Sequence, residues 1–447
     1  MTNAYYLFIL LIASISFIIW LTAYKKVNAF FALLTAALAV GFLSGLPLSE
    51  MVTALKAGFG HTMEKIGLLI ILGTTLGVIL EKTGATMSMA NYILRSVKEK
   101  NAPAAISITG FIIGLPIFAD SAFIILSGLN HSLVKKTHFR MPVMASALAT
   151  SLYAVHCLVP PHPGITAATG TAGGDLGMVM LVGIAISLPA TLVGYLWSIW
   201  RGSKITHEYL EPEVIHVEVK RLPSALISFF PVILPIGLIA CKSIVMLYAA
   251  NLEIHESIFF QMMSFLGEPV IALILGIIVS FSLIQKTHKK DLTHWLSDGV
   301  EKAGMILAII AAGGMFGEML QATGMGKNLG EILGGLSLGI FFPFLIAAIL
   351  KTAQGSSTVA VITTASLVTP LMGDLGLSSP MGLTLTILSM GAGSMIFSHA
   401  NDAYFWVISR FSNLETAATL KVYSMATFLM GLTAQLFIWV IYLAVRG

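Results

Sequence analysis

The chain reads as a series of long apolar runs separated by short polar breaks. Uninterrupted runs occupy 4–23, 27–46, 176–199, 224–248, 259–284 and 420–445. Each is near the roughly 20 apolar residues that a helix needs to cross the hydrocarbon of a bilayer. Six further hydrophobic segments, 67–82, 103–134, 141–175, 303–320, 328–374 and 377–411, are interrupted by polar and Gly/Pro clusters where a simple helix would continue. Non-helical backbone at membrane depth is tolerated only where it is buried in protein or lines a watery cavity. The breaks are therefore where function is expected. The first run, Tyr5 to Ala23, has no basic stretch before it and no small-residue cleavage site after it, which predicts a retained helix rather than a cleaved signal.

Sliding the two halves against each other exposes a repeat. Glu64-Lys65-Ile66-Gly67 matches Glu301-Lys302-Ala303-Gly304, and Gly73, Gly77 and Thr83-Gly84 match Gly313, Gly317 and Thr323-Gly324. Basic residues mark cytoplasmic loops. Lys25-Lys26 therefore place 24–27 inside and the uncharged N-terminal stub outside, so 48–66 becomes an outer loop. Its mate, Lys286-Thr287-His288-Lys289-Lys290, is strongly basic and reads as inside. Equivalent segments on opposite faces make an inverted repeat, a common transporter architecture. The segment 103–134 lies between two basic clusters, Arg95/Lys98/Lys100 and Lys135 to Arg140, and is expected to enter and leave on the same side with its tip near 115–121. Its mate is 335–371, with a tip near 351–358. The predicted fold is an all-α polytopic membrane protein of two inverted repeats, 1–200 and 223–447, joined by a linker at 201–222. Each repeat holds a re-entrant hairpin and a broken transmembrane helix.

Composition agrees with this and narrows the function. The chain is 57% hydrophobic and 10% charged, against about 25% charged in a soluble domain. A soluble enzyme, a nucleic-acid binder and a disordered chain are excluded. The net charge of +4 belongs to short clusters between apolar runs. Cys157 and Cys241 lie in apolar stretches outside any CxxC or Cys/His pattern, which argues against a disulfide framework or a metal site. No GxxxxGK[ST] stretch occurs, so the chain carries no nucleotide-hydrolysing motor of its own.

Four polar clusters remain, two per half. Asp120-Ser121 follows Gly114-Leu115-Pro116. A carboxylate in an apolar run costs at least about 2.5 kcal/mol at the bilayer centre and usually lines a polar path. Next comes His156-Cys157-Leu158-Val159-Pro160-Pro161-His162-Pro163, whose prolines remove backbone donors and break the helix. Histidine titrates nearest neutral pH, which suits proton coupling. The third is Gln354-Gly355-Ser356-Ser357-Thr358. A helix starting there presents free N–H groups and a positive dipole end to a carboxylate. The fourth, Ser398 to Trp406, contains His399, Asn401 and Asp402. Candidate substrate-binding residues are Ser121, His162, Gln354, Ser356, Ser357, Thr358 and Asn401, and candidate proton-coupling residues are Asp120, His156 and Asp402. Whether Lys351 assists or snorkels to water stays open.

These clusters together resemble the gluconate:proton symporter (gluconate permease) family. The stretches that carry the resemblance are Gly114 to Asp120, Ala154 to Pro163, Thr358-Val359-Ala360 and Asn401 to Trp406, with similar hydropathy over essentially the whole chain. Membership implies a fold of the ion-transporter superfamily and secondary transport of small hydroxy-carboxylates with protons, with no cofactor beyond the proton. It implies a multi-pass bacterial inner-membrane protein, with the N-terminus periplasmic by the charge argument. The partners are then a small carboxylate substrate and the lipid bilayer, and a homodimer stays open. The resemblance makes a sugar acid, gluconate first, the expected substrate. Some relatives, D-serine carriers included, have Glu at the position of Asp120, a departure that keeps the charge and so leaves the role of Asp120 standing while putting the substrate in question. A D-serine or glycerate-like permease and an ion channel with paired hairpins as its filter are the alternatives. An intramembrane hydrolase using Ser356 or Ser357 lacks a GxSxG setting.

Overall fold

The computed structural model describes residues 4–95, 99–205, 222–249, 258–285, 290–324 and 338–446. All regular structure among them is helical, and the protein is a polytopic membrane protein. Among the described residues, six helices are long and apolar enough to cross a bilayer, or seven if a bent pair counts as one span. That pair departs from the sequence reading of 259–284 as a plain helix. Ile258–Leu266 (α11) and Pro269–Ser280 (α12) meet at a bend of 68°, because Pro269 at the first turn of α12 cannot continue the ladder of α11. Most of the basic cluster at 286–290, the linker core 206–221 and the stretch 328–337 fall outside the described residues, as does Lys98.

The first helices are α1 (Ala4–Ile19, prolonged by a π turn at Trp20–Tyr24) and α2 (Ala29–Leu43). The largest correction concerns 48–66, read above as an outer loop. It is the first half of a continuous helix, α3, Leu48–Lys82, of 35 residues. At 1.5 Å per residue it is roughly 50 Å long, well beyond the hydrocarbon. Lys25-Lys26 indicate the side on which 48–66 begins but not that it continues as a helix into the membrane. The rest of the first half comprises α4 (Ala85–Arg95), α5 (Ala102–Gly114), α6 (Ala119–Lys136), α7 (Met141–Leu158), α8 (Pro163–Ala172) and α9 (Leu176–Gly202). The second half runs through α10 (Ala225–Ala249), α11, α12, α13 (Leu292–Ala322), α14 (Phe341–Gln354), α15 (Ser357–Val368), α16 (Pro380–Met395), α17 (Ala403–Phe411) and α18 (Met425–Arg446).

Helices α3 and α13 cross closely and antiparallel. A Cβ on Gly314 would meet Thr62, and one on Gly299 would meet Thr75. Thr74 Oγ1 also donates to Gly299 O at 2.9 Å. Small residues allow this approach, as they do wherever apolar helices pack within a bilayer.

Contacts at and near the helix ends sort the ends of the molecule. Arg140 donates to Ser203 O and Ile205 O, Ser88 to Pro223 O, and Trp197 to Lys421 O, while Lys302 pairs with Glu81 and Lys82 with Asp298. One end therefore gathers Lys82, Arg140, Lys204, Lys302 and Lys421. The far end holds the Lys242–Glu268 pair and the bond from Ser243 to Asp175.

Between the ends, α5 and α6 are joined by the turn 115–118, and α14 and α15 by Gly355-Ser356. At 13, 14 and 12 residues, α5, α14 and α15 are too short to span. The chain breaks at 159–162 between α7 and α8, where Pro160, Pro161 and Pro163 withhold donors. It breaks again at 396–402 between α16 and α17, where Phe397 takes a φ of 48°. The α7–α8 span is almost wholly buried, so it belongs to the protein interior and not to the lipid face.

Candidate functional site

The two turns and the second break converge on a cavity of about 390 Å³, within the size range of small-molecule sites, about 300–1,000 Å³. Its polar lining includes Asp120 at the start of α6, His156 near the end of α7, and Gln354, Ser356, Ser357 and Thr358 at the α14–α15 turn. Asn401 and Asp402 complete it from the second break, and Met305, Ile306 and Ile309 of α13 form an apolar wall. The structure therefore places eight of the ten sequence candidates around one space, although they come from four separate parts of the chain. The other two do not line it. Ser121 is half-buried beside Asp120, and His162 is buried in the first break. There His162 Nε2 donates to Gly114 O at 2.6 Å, tying the first break to the α5–α6 turn.

Local chemistry explains the second turn. Gly355 has a φ of +90°, the left-handed region, and a Cβ there would lie 2.1 Å from Asn401 O. Only glycine allows both the conformation and the approach. Ser356 then caps α15, its side chain accepting from Val359 N at 3.2 Å. Asp402 caps α17 in the same way, accepting from Tyr404 N at 3.0 Å. The carbonyls at the end of α14 are closed by donors from the second break. Asn401 Nδ2 donates to Thr352 O at 2.8 Å and to Ala353 O at 3.3 Å, and His399 Nε2 donates to Thr352 O at 3.1 Å.

The two carboxylates are not equivalent. Asp402 is buried and accepts from Lys351 Nζ at 2.6 Å, from Ser398 Oγ and from Tyr404 N. Asp120 is exposed to the cavity and has no hydrogen bond or ion pair to any described residue. Other polar atoms are poorly served. Both amide atoms of Gln354, Asn401 Oδ1 and His156 Nδ1 are buried without a partner. Each such group costs about 1–3 kcal/mol until something satisfies it. Among the described residues no three His, Cys, Asp or Glu side chains group as a metal site would require.

Two lining residues were missed by sequence reasoning. Tyr153 sits one turn before His156 on the same face of α7, stacks on that ring, and hydrogen-bonds Ser394 O at 3.3 Å. Tyr404 follows Asp402 and donates to Ala149 O. Spacing from His156 was the one available signal for Tyr153.

A second polar space of about 180 Å³ opens toward the far end, lined by His61 and Lys65 of α3 and by Glu318 and Gln321 of α13. Ile66, Ile70, Ile310 and Ile362, with Ala167 and Ala303, form a small apolar cluster apart from the main core. Ile362 borders the central cavity and Ile66 borders the second space, so this cluster lies between the two. It is tightly packed, with Ile66 against Gly170 and Ile362 against Gly313. Another crevice, walled by residues such as Leu69, Pro116, Pro161 and Ile236, presents no polar surface and has nothing to hold a charged solute.

Comparison with known proteins bears on this geometry. The family model described as GntP family permease matches residues 5–444. The chain is 33% identical to an uncharacterized permease of Haemophilus influenzae over 91% of its own length and 86% of the relative's. It is 30% identical to a gluconate permease of Pseudomonas aeruginosa over 98% and 97% of the two chains. It is 29% identical to the Gnt-II system L-idonate transporter of Escherichia coli over 96% and 97%. Among solved structures, the YdaH transporter of Alcanivorax borkumensis shares the fold, with a TM-score of 0.62 at 14% identity over 93% of this chain and 97% of that one.

Proposed function

The chain belongs to the GntP family of permeases, and from that premise we propose that it imports a small sugar acid, gluconate first, by proton symport across the bacterial inner membrane. The observation that carries the proposal is the pairing, in one cavity, of a helix start suited to a carboxylate with one unpartnered acid, Asp120. At the start of α15, Val359 N is taken by Ser356 Oγ and Ala360 N by Ser356 O. The N–H groups of Ser357 and Thr358 have no such intrahelical acceptor, and the helix dipole adds positive potential. A substrate carboxylate bound there is held by these N–H groups and by the Ser357 and Thr358 hydroxyls. Its hydroxyl groups meet the two amide atoms of Gln354 and Asn401 Oδ1, which are buried and otherwise lack partners.

An anion entering beside ionised Asp120 would place two negative charges in one poorly hydrated space, which is costly. A proton on Asp120 removes that cost, so proton and substrate bind together. The three ties on Asp402 support Asp120 as the group that loads the proton, with Asp402 holding the second break.

Alternating access is supported by the internal symmetry. In the sequence match, Thr62 corresponds to Gly299 and Thr74 to Gly314. The contact of Thr62 with Gly314 is then the two-fold image of that between Gly299 and Thr74, whose Oγ1 donates to Gly299 O. Two units, 1–200 and 223–447, each with a hairpin and a broken helix, rocking about this crossing would expose the cavity to either side. The basic end faces the cytoplasm by the positive-inside rule, which leaves the N-terminus periplasmic.

The test is uptake of labelled gluconate into membrane vesicles under an imposed pH gradient. Accumulation that follows the gradient in sodium-free buffer is the expected result, and accumulation that ignores it but requires sodium overturns the proton assignment. Competition by idonate, glycerate and D-serine then ranks the substrates.

A further inference from the structure

Lys351 ends α14 with its side chain fully buried, an expensive place for a cation in a bilayer protein. Its ammonium donates to Gly355 O in the α14–α15 turn and to Asp402 Oδ2 in the second break, and lies 5.9 Å from the centre of the Tyr153 ring. A backbone carbonyl freed by a left-handed glycine, a carboxylate and an aromatic face are what a small monovalent cation would be given. We propose that this is a monovalent-cation site, built between the second turn and the second break, which the protein fills with its own tethered ammonium.

Several observations converge on this. Gly355 directs its carbonyl to the ammonium only because it adopts a φ of +90°. Asp402 is fixed by Ser398 and Tyr404 N whether or not the lysine is present, so its Oδ2 would remain aimed at the same point. The cation joins the two structures that carry the substrate candidates, Ser357 and Thr358 on one side and Asn401 on the other. Lys351 is accordingly a positioning residue that closes the start of α15 onto the cavity. On the proton-symport reading proposed above, a permanently occupied site leaves no place here for a dissolved sodium ion.

The proposal rests on the transport reading only in its uptake arm. Purified Lys351→Ala would be melted in choline, sodium and ethylammonium chloride, and its gluconate uptake measured in vesicles in the same salts. Choline, bulkier than sodium or ethylammonium, serves as the cation least suited to a space vacated by one lysine side chain. The expected result is a Tm several degrees higher and uptake at least ten-fold higher in sodium or ethylammonium than in choline, both saturable, with wild type indifferent to the exchange. Lys351→Ala behaving alike in all three salts overturns the site. So does a Lys351→Ala/Asp402→Asn double variant that transports like wild type in choline, since the lysine would then merely neutralise Asp402. If Lys351→Ala yields no monodisperse protein, Lys351→Gln is read by the same criteria. Cation-dependent melting of the variant together with absent wild-type gluconate uptake would discard the substrate and keep the site.

Discussion

Asp402 has three donors on its carboxylate and Asp120 has none among the described residues, though both line the same cavity. Nothing in the sequence separates them, because each is a lone acid beside a helix break. The partner that distinguishes them, Lys351, lies 51 positions from Asp402 and only the folded chain brings the two together. Tyr153 was missed for a related reason, since an aromatic residue inside an apolar helix looks like ordinary core, and its spacing from His156 is a weak signal until its neighbours are known. The difference between the acids leads to a prediction. Asp120→Asn should keep exchange of labelled for unlabelled gluconate across the vesicle membrane while losing uphill accumulation driven by a pH gradient. Accumulation at the wild-type level would remove Asp120 from coupling.

Helix interruptions were legible because they are written in local chemistry, namely three prolines around His162 and a run of small polar residues after Gln354. Helix length was less so. Lys25-Lys26, by placing 24–27 inside, made 48–66 an outer loop, yet Thr62 and Gly58 pack on α13 and the segment stays helical through 82. Local polarity cannot reveal that a helix outruns the bilayer and is held by a partner helix. The turn at Gly355 offers a sharp check on these elements. Gly355→Ala forces a side chain into the left-handed region, costing about 1 kcal/mol or more, and drives a Cβ into Asn401 O. Purified Gly355→Ala should melt below wild type and show a several-fold weaker apparent affinity for gluconate, because the start of α15 must move away from the second break. Unchanged melting and affinity would show that the turn has room to spare.

At the scale of the whole molecule, the candidate residues come from both halves of the chain, so neither half alone encloses the cavity. The antiparallel crossing of α3 and α13 joins those halves, and the weak sequence match foreshadowed it through glycine spacing. The isoleucine cluster between the two polar spaces has an electrical consequence. Were both polar spaces filled with water, the bulk potential would reach inward from each side and most of the membrane voltage, worth about 2.3 kcal/mol per elementary charge at 100 mV, would fall across this thin layer of methyl groups. With one proton carried on Asp120 per anion, the loaded cavity holds the substrate's single negative charge and the empty one holds that of Asp120. Both crossings then feel the field alike, and a full cycle moves no net charge. Gluconate accumulation should therefore follow an imposed pH difference and ignore a potassium diffusion potential set at constant pH. A response to the potential alone would call for a second proton per cycle. On the proposed stoichiometry of one proton per anion, a cell with a collapsed membrane potential would still feed on the substrate, as long as its exterior is acidic.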